Sequence, residues 1–123
     1  MIISNFNKQT KILETEFTVD VSLNEIINYI IATKKNKTYP RLLKIKTNAT
    51  TANFTFSIDD LEKIVIENRK SLEKYDFIID AIIVEDPKTT VISMLYKELE
   101  KNKKYKFNIF STEKAATMWL KEY

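Results

Sequence analysis

The sequence contains no cysteine, no histidine and no glycine, and each absence removes a class of function. Without cysteine there is no disulfide framework, no thiol nucleophile and no thiolate metal site. Without histidine there is no imidazole base and no histidine-ligated metal. Without glycine there is no Walker loop and no dinucleotide fingerprint, because both need glycine where the backbone approaches phosphate closely. No remaining pair of polar residues has a diagnostic catalytic spacing, so we expect a non-enzymatic protein without cofactor or metal.

The basic excess of the chain is small and is built from lysine. Twenty basic residues face 17 acidic ones, giving a net charge of +3, and Arg41 and Arg69 are the two arginines. Nucleic-acid-binding proteins use the bidentate guanidinium group to read bases and clamp phosphates, so we do not expect nucleic acid as a partner here. No apolar run approaches the roughly 20 residues that span a bilayer, and no secretory signal is visible, so we expect a cytoplasmic protein.

Residue periodicity predicts a single α/β domain over residues 1–123. Segments 2–8 and 11–18 indicate an antiparallel N-terminal strand pair, and three later strands alternate with four helices. The nearly continuous apolar run from Phe77 to Glu85 is typical of a parallel strand that is covered on both faces. Alternating strands and helices form right-handed crossovers, so we expect a mostly parallel five-stranded sheet with helices packed on it.

Capping residues mark the expected helix ends. Ser22 and Glu25 form a capping box at the start of the first helix, and Asp86 precedes a proline at the start of the third. Asn36 is expected to end the first helix in the left-handed conformation that glycine usually supplies. The polar segment 47–53 is expected to be the longest loop. The third helix is expected to pack through an apolar stripe of Val91, Ile92, Leu95 and Leu99.

One serine and several acids have both a structural and a functional interpretation. Ser57 is placed to cap the second helix; a phosphate there would gain from helix N–H groups but would be repelled by Asp59 and Asp60. We interpret Ser57 as a cap, and Asp59, Asp60 and Glu62 as first-turn acids rather than metal ligands. Asp80 interrupts the apolar run, and we interpret it as a residue at the rim of a strand rather than a buried acid.

The order and length of these elements resemble the SpoIIAA-like, or STAS-like, α/β family, whose named members are bacterial anti-sigma-factor antagonists. The local similarity is concentrated in the strand, cap and helix from Ala81 to Tyr96, and in the last helix from Phe110 to Leu120. The resemblance implies a non-enzymatic regulatory module that contacts another protein or a second copy of itself. It also places the family's regulatory serine near Ser57.

Six residues are the candidate interaction or regulatory positions. Ser57 is the first, and the others lie in the expected polar loop, at the cap of the third helix and beside its apolar stripe: Asn48, Thr50, Asp86, Met94 and Tyr96. The third helix carries more apolar surface than one stripe needs. This surplus indicates either extra core depth or a contact face.

Charges are expected to separate between the two edges of the sheet. Lysines follow the first three helices whereas acids precede the helices, and a parallel fold brings all helix C-termini to one edge. The acidic edge is where open α/β sheets bind ligands, and it would repel phosphates. Two alternatives to an interaction module stay open: a carrier of a small apolar ligand or lipid, and a weak nucleic-acid binder at the lysine-rich edge, which has no interleaved aromatic residues.

Overall fold

The computed structural model describes all residues, 1–123, and contains five strands and four helices. In chain order they are β1 (Ile2–Asn7), β2 (Ile12–Val21), α1 (Leu23–Lys35), β3 (Leu42–Phe54), α2 (Leu61–Leu72), β4 (Phe77–Ile83), α3 (Pro87–Leu99), β5 (Tyr105–Phe110) and α4 (Glu113–Leu120). No helix combines the length and the apolar character needed to cross a membrane.

The strands form one sheet in the order β1-β2-β3-β4-β5. The β1–β2 pair is antiparallel and every other pair is parallel. Helices α1, α2 and α3 pack on one face, where they share a core with residues such as Phe17 and Ile82. Helix α4 covers the other face through Ala116 and Leu120. The expected α/β architecture is therefore confirmed.

Strand β4 lies in the sheet interior and is covered on both faces, as its apolar run predicts. Ile79, Ala81 and Ile83 pack against α4. Ile78 and Ile82 point to the opposite face and join the cores under α1, α2 and α3. Because side chains alternate along a strand, Asp80 points to this second face as well.

Side-chain caps begin α1, α3 and α4. The Ser22 hydroxyl accepts from the Glu25 N–H at 3.2 Å, and the Glu25 carboxylate accepts from the Ser22 N–H at 3.3 Å. Asp86 accepts from the Thr89 N–H at 3.0 Å. Both predicted caps are confirmed. The predicted left-handed stop at Asn36 is wrong: its backbone is extended, at φ −72° and ψ 122°, and its side chain accepts from the Thr38 and Tyr39 N–H groups.

The expected loop at 47–53 is also wrong, because these residues form the second half of the 13-residue strand β3. They pair in parallel with β2, from Thr15 beside Thr47 to Asp20 beside Asn53. The segment is rich in threonine, whose branched side chain favours strands, and its alternation buries Thr47, Ala49 and Ala52. A register shift opposite Glu16 and Thr18 bulges the strand at Ala49–Thr50.

Helix α3 is rotated relative to the stripe predicted from its apolar residues. Val91 and Leu99 are 50% and 48% exposed, so their predicted core role is wrong. The inward stripe instead combines apolar and polar residues at helical spacing: Thr89, Ile92, Ser93, Tyr96 and, at the C-cap, Glu100. Polar members are tolerated there because three of them have hydrogen-bond partners and the fourth, Ser93, faces a cavity.

Candidate functional site

A cavity of about 100 Å³ lies between the sheet and helices α1, α2 and α3. Fifteen of its 21 lining residues are hydrophobic, and seven carry aromatic rings: Phe17, Tyr29, Phe54, Phe56, Tyr96, Tyr105 and Phe107. Drug-sized ligands occupy sites of roughly 300–1,000 Å³, whereas a cavity of about 150 Å³ holds benzene. This cavity therefore suits a molecule of a few non-hydrogen atoms and is too small for a lipid chain.

Asp80 is the one charged residue in the wall of the cavity. Across the sheet it lies between Ile45 of β3 and Phe107 of β5, two apolar neighbours. The Tyr105 hydroxyl donates to Oδ2 of Asp80 at 2.5 Å, and the Tyr96 hydroxyl donates to the Tyr105 oxygen at 3.2 Å. Burial raises the pKa of Asp80 to about 6, and the Tyr105 hydrogen bond opposes part of that rise.

The tyrosines around Asp80 are hydrogen-bond donors rather than bases. Burial raises the pKa of Tyr96 and Tyr105 well above the ordinary phenol value, and the nearby Asp80 charge raises both further. The pKa of Tyr29, whose hydroxyl lies 2.9 Å from that of Thr15, is also raised by burial. At neutral pH these phenols keep their protons, so Asp80 is the group in the cavity that exchanges one.

Three buried hydroxyls in the cavity wall make no hydrogen bond: those of Thr47, Ser71 and Ser93. Every fully enclosed side-chain polar atom of the chain is hydrogen-bonded except Oγ1 of Thr18. The three hydroxyls belong to residues that line the cavity. Oδ1 of Asp80 makes no hydrogen bond either, because the one hydrogen bond of that carboxyl is made through Oδ2.

The interpretation of Asp80 as a rim residue where a strand begins is wrong, because β4 begins at Phe77, and the side chain of Asp80 is part-buried. It stands in the middle of β4, and its side chain alternates with Ile78 and Ile82 on the helix-covered face. The aspartate is accommodated there by a tyrosine that lies 25 residues further along the chain. The one local signal that could have indicated this placement is the position of the acid, which alternates with the inward-facing Ile78 and Ile82.

Ser57 lies on a second, surface feature. A hollow with a volume of about 520 Å³ is lined by seven residues, which we call the Ser57 surface: Phe56, Ser57, Ile58, Pro87, Lys88, Val91 and Ile92. Ile58 and Val91 are 54% and 50% exposed. The Ser57 N–H and hydroxyl both donate to Oδ2 of Asp60, at 3.1 and 3.3 Å. Ser57 is the N-cap of a short 3-10 turn over residues 58–60, and this turn leads directly into α2 at Leu61.

The other predicted positions do not converge on one place. Asp86 caps α3 immediately before Pro87 of the Ser57 surface, and Met94 is exposed one turn beyond Val91. Tyr96 instead turns inward to the cavity. Asn48 and Thr50 lie on β3, where the Asn48 side chain accepts from the Thr50 N–H and hydroxyl at 3.0 and 2.8 Å.

Lysines gather at two surface hollows. Four lysines and an arginine surround the ends of α1 and α2: Lys34, Lys35, Lys37, Lys74 and Arg41. Four more lie beside Trp119 and Tyr123: Lys97, Lys101, Lys103 and Lys106. The expected lack of aromatic residues among the lysines is wrong at this second hollow, because Tyr105 and Phe107 flank Lys106, and Trp119 of α4 and the following Tyr123 also line it. No group of three or more acids lies close enough together to hold a metal ion.

A solved structure of similar architecture is that of an uncharacterised protein of the DUF3478 family, with a SpoIIAA-like fold, from Shewanella loihica PV-4. The two superpose with a TM-score of 0.65 over 97% of this chain and 93% of that one, at 10% sequence identity. This chain has a SpoIIAA-like fold. At that identity the likeness concerns architecture and not activity. No protein-family model and no curated protein matches the sequence.

Proposed function

We propose that the protein is a non-enzymatic regulatory module that binds another protein through the Ser57 surface. The observation that carries the proposal is the pair of half-exposed apolar side chains, Ile58 and Val91, which come from different segments and line one hollow. Met94, 55% exposed, extends the same face of α3. A contiguous apolar patch with a polar rim is the usual mark of a protein contact site.

The fold supports the same proposal. A SpoIIAA-like architecture is consistent with STAS-type regulatory domains, and the resemblance seen in the sequence places the regulatory serine of that family near Ser57. Ser57 is exposed, as modification by an enzyme requires. Its hydroxyl contacts Asp60, so a phosphate there would break that hydrogen bond and add charge beside a carboxylate. Phosphorylation would thus alter the surface that we assign to the partner.

Charge favours a different protein over a second copy as the partner. Exposed acids flank both segments of the hollow, because Asp59 directly follows Ile58 and Glu85 stands two residues before Pro87. The one cation in the hollow, Lys88, already donates to the carbonyl of Phe54 at 2.9 Å. Two copies meeting through this surface would bring like charges together, whereas a partner with an apolar knob and a basic rim would be complementary.

Site-specific photocrosslinking in the native cell tests the proposal. A photoreactive residue replaces Val91 or Met94 in turn, and Met118, which is 60% exposed on α4 at the opposite face, is the control position. We expect one discrete adduct from both α3 positions and none from Met118, and Ile58→Lys should abolish it. An adduct with the mass of a dimer would favour self-association. Equal crosslinking from all three positions, or none from α3, would contradict the proposal.

A further inference from the structure

The carboxyl of Asp80, which is part-buried in the wall of the cavity, has no cationic partner within the protein. It takes part in none of the chain's ion pairs. Tyr105 donates to Oδ2, and Oδ1 accepts nothing. A carboxylate without a counter-charge in an apolar surrounding is costly, and proteins rarely retain one unless it has a task.

Protonation does not remove this cost at neutral pH. With a pKa of about 6, the carboxyl is roughly nine-tenths ionised at pH 7. The titratable groups that face it are Tyr29 from α1, Tyr96 from α3 and Tyr105 from β5, and all three stay neutral. Helix α2 contributes to the cavity only uncharged residues. The protein therefore supplies no positive charge to Asp80.

The remainder of the cavity wall suits the body of a cation. Aromatic rings surround the cavity. The face of an aromatic ring attracts an ammonium group and also packs against hydrocarbon. The free hydroxyls of Thr47, Ser71 and Ser93 can accept further N–H groups. An anion would be repelled by Asp80, and a hydrocarbon would leave its Oδ1 without a partner. The volume of about 100 Å³ limits the occupant to a few non-hydrogen atoms.

We propose that the cavity under α1, α2 and α3 binds a small organic ammonium ion, which donates an N–H to Oδ1 of Asp80 and rests its apolar body on the surrounding rings. This site is separate from the Ser57 surface and does not depend on the partner assigned to that surface. It differs from the carrier considered from the sequence, because the carboxylate selects a cation and the volume excludes a lipid.

Matched probes test the site on the intact chain. The protein is titrated at about pH 7 with isobutylamine and with isobutanol, which has the same shape and no charge, and amide and methyl NMR shifts are recorded. We expect the amine to bind at least tenfold more tightly, with the largest shifts at Asp80, Phe107 and Ser93. Lowering the pH to about 5 should weaken binding of the amine about tenfold, because about nine-tenths of the Asp80 carboxyl is then protonated. Binding of the alcohol should not change.

Variants complete the test. Asp80→Asn should bind the amine no better than the alcohol, whereas Asp59→Asn, which neutralises an exposed acid, should keep the full preference. Should Asp80→Asn fail to fold, the probe comparison and the pH dependence on the natural protein still decide. Equal binding of amine and alcohol, shifts confined to surface acids, or a cavity that exchanges only water would each overturn the proposal.

Discussion

Asp80 should make the protein less stable as the pH rises through the acidic range. Its pKa is 3.8 in a solvated chain and about 6 in the folded one. The folded state therefore holds the proton more tightly than the unfolded chain does, so stability falls between these two values and is flat above them. Each pKa unit corresponds to about 1.4 kcal/mol, so the ionised carboxyl costs the folded state up to about 3 kcal/mol at neutral pH.

The measurement is urea unfolding of the natural protein and of Asp80→Asn at about pH 5 and pH 7. The variant cannot ionise at this position, so its advantage over the natural protein should be about 1.4 kcal/mol larger at pH 7 than at pH 5. No histidine titrates in this window, because the chain has none. The absolute difference also contains the hydrogen bonding of the new amide, so the change with pH is the informative quantity.

Other acids act in the opposite sense and cancel in this comparison. Hydrogen bonds lower the pKa of four carboxyls, which therefore stabilise the fold above their ordinary pKa and lose that effect as the pH falls through the lowered values: Glu25, Asp60, Asp76 and Asp86. They titrate below the window and are present in both proteins. A difference between the two proteins that stays constant from pH 5 to pH 7, or that shrinks on raising the pH, would refute the reasoning.

Three further predictions rest on polar groups outside the cavity. Glu100→Ala should cost about 2 kcal/mol in urea unfolding, because it leaves the buried Asn68 amide without its acceptor, whereas the exposed Glu98→Ala should cost under about 0.5 kcal/mol. Ser57→Asp should lower stability by less than about 1 kcal/mol in the same assay, since Ser57 is exposed and the new charge meets Asp60. Fluorescence anisotropy should show weak binding of labelled DNA and RNA that is lost by about 150 mM salt; sub-micromolar binding that survives there would make a lysine hollow a true nucleic-acid site.

The fold could be predicted because its signals are local. Capping residues and periodicity located four helices and the buried strand β4, and alternation of element types then fixed a mostly parallel sheet. The second half of β3 was predicted as a loop because threonine and asparagine are common in loops. What makes residues 47–53 a strand is pairing with β2, which lies about 30 residues earlier in the chain.

The candidate site could not be predicted because it depends on contacts between distant segments. The Asp80 carboxylate accepts a hydrogen bond from the Tyr105 hydroxyl, and the Tyr105 oxygen accepts one from the Tyr96 hydroxyl. Each of these residues alone fits an ordinary core or surface position. Trp119 likewise comes to lie beside Lys97 only because α4 packs on the other face of the sheet, next to β5. Local periodicity describes one element at a time, whereas this cavity is lined by residues from seven elements.

Two neighbouring residues on α3 test the rotated face of that helix most directly. The sequence assigns both Val91 and Ile92 to the core, but the structure leaves Val91 50% exposed and Ile92 only 7% exposed. Ile92→Ala should cost about 2–5 kcal/mol, as truncation of a buried aliphatic side chain does. Val91→Ala should cost under about 0.5 kcal/mol, because little surface is lost and alanine has the higher helix propensity. Chemical unfolding of both variants at several protein concentrations measures the difference. Equal losses of unfolding free energy in the two variants would mean that the Val91 side chain is covered. If the loss for Val91→Ala grows with protein concentration, a second copy of the chain covers it. If it does not, α3 packs on the core through the apolar stripe predicted from the sequence.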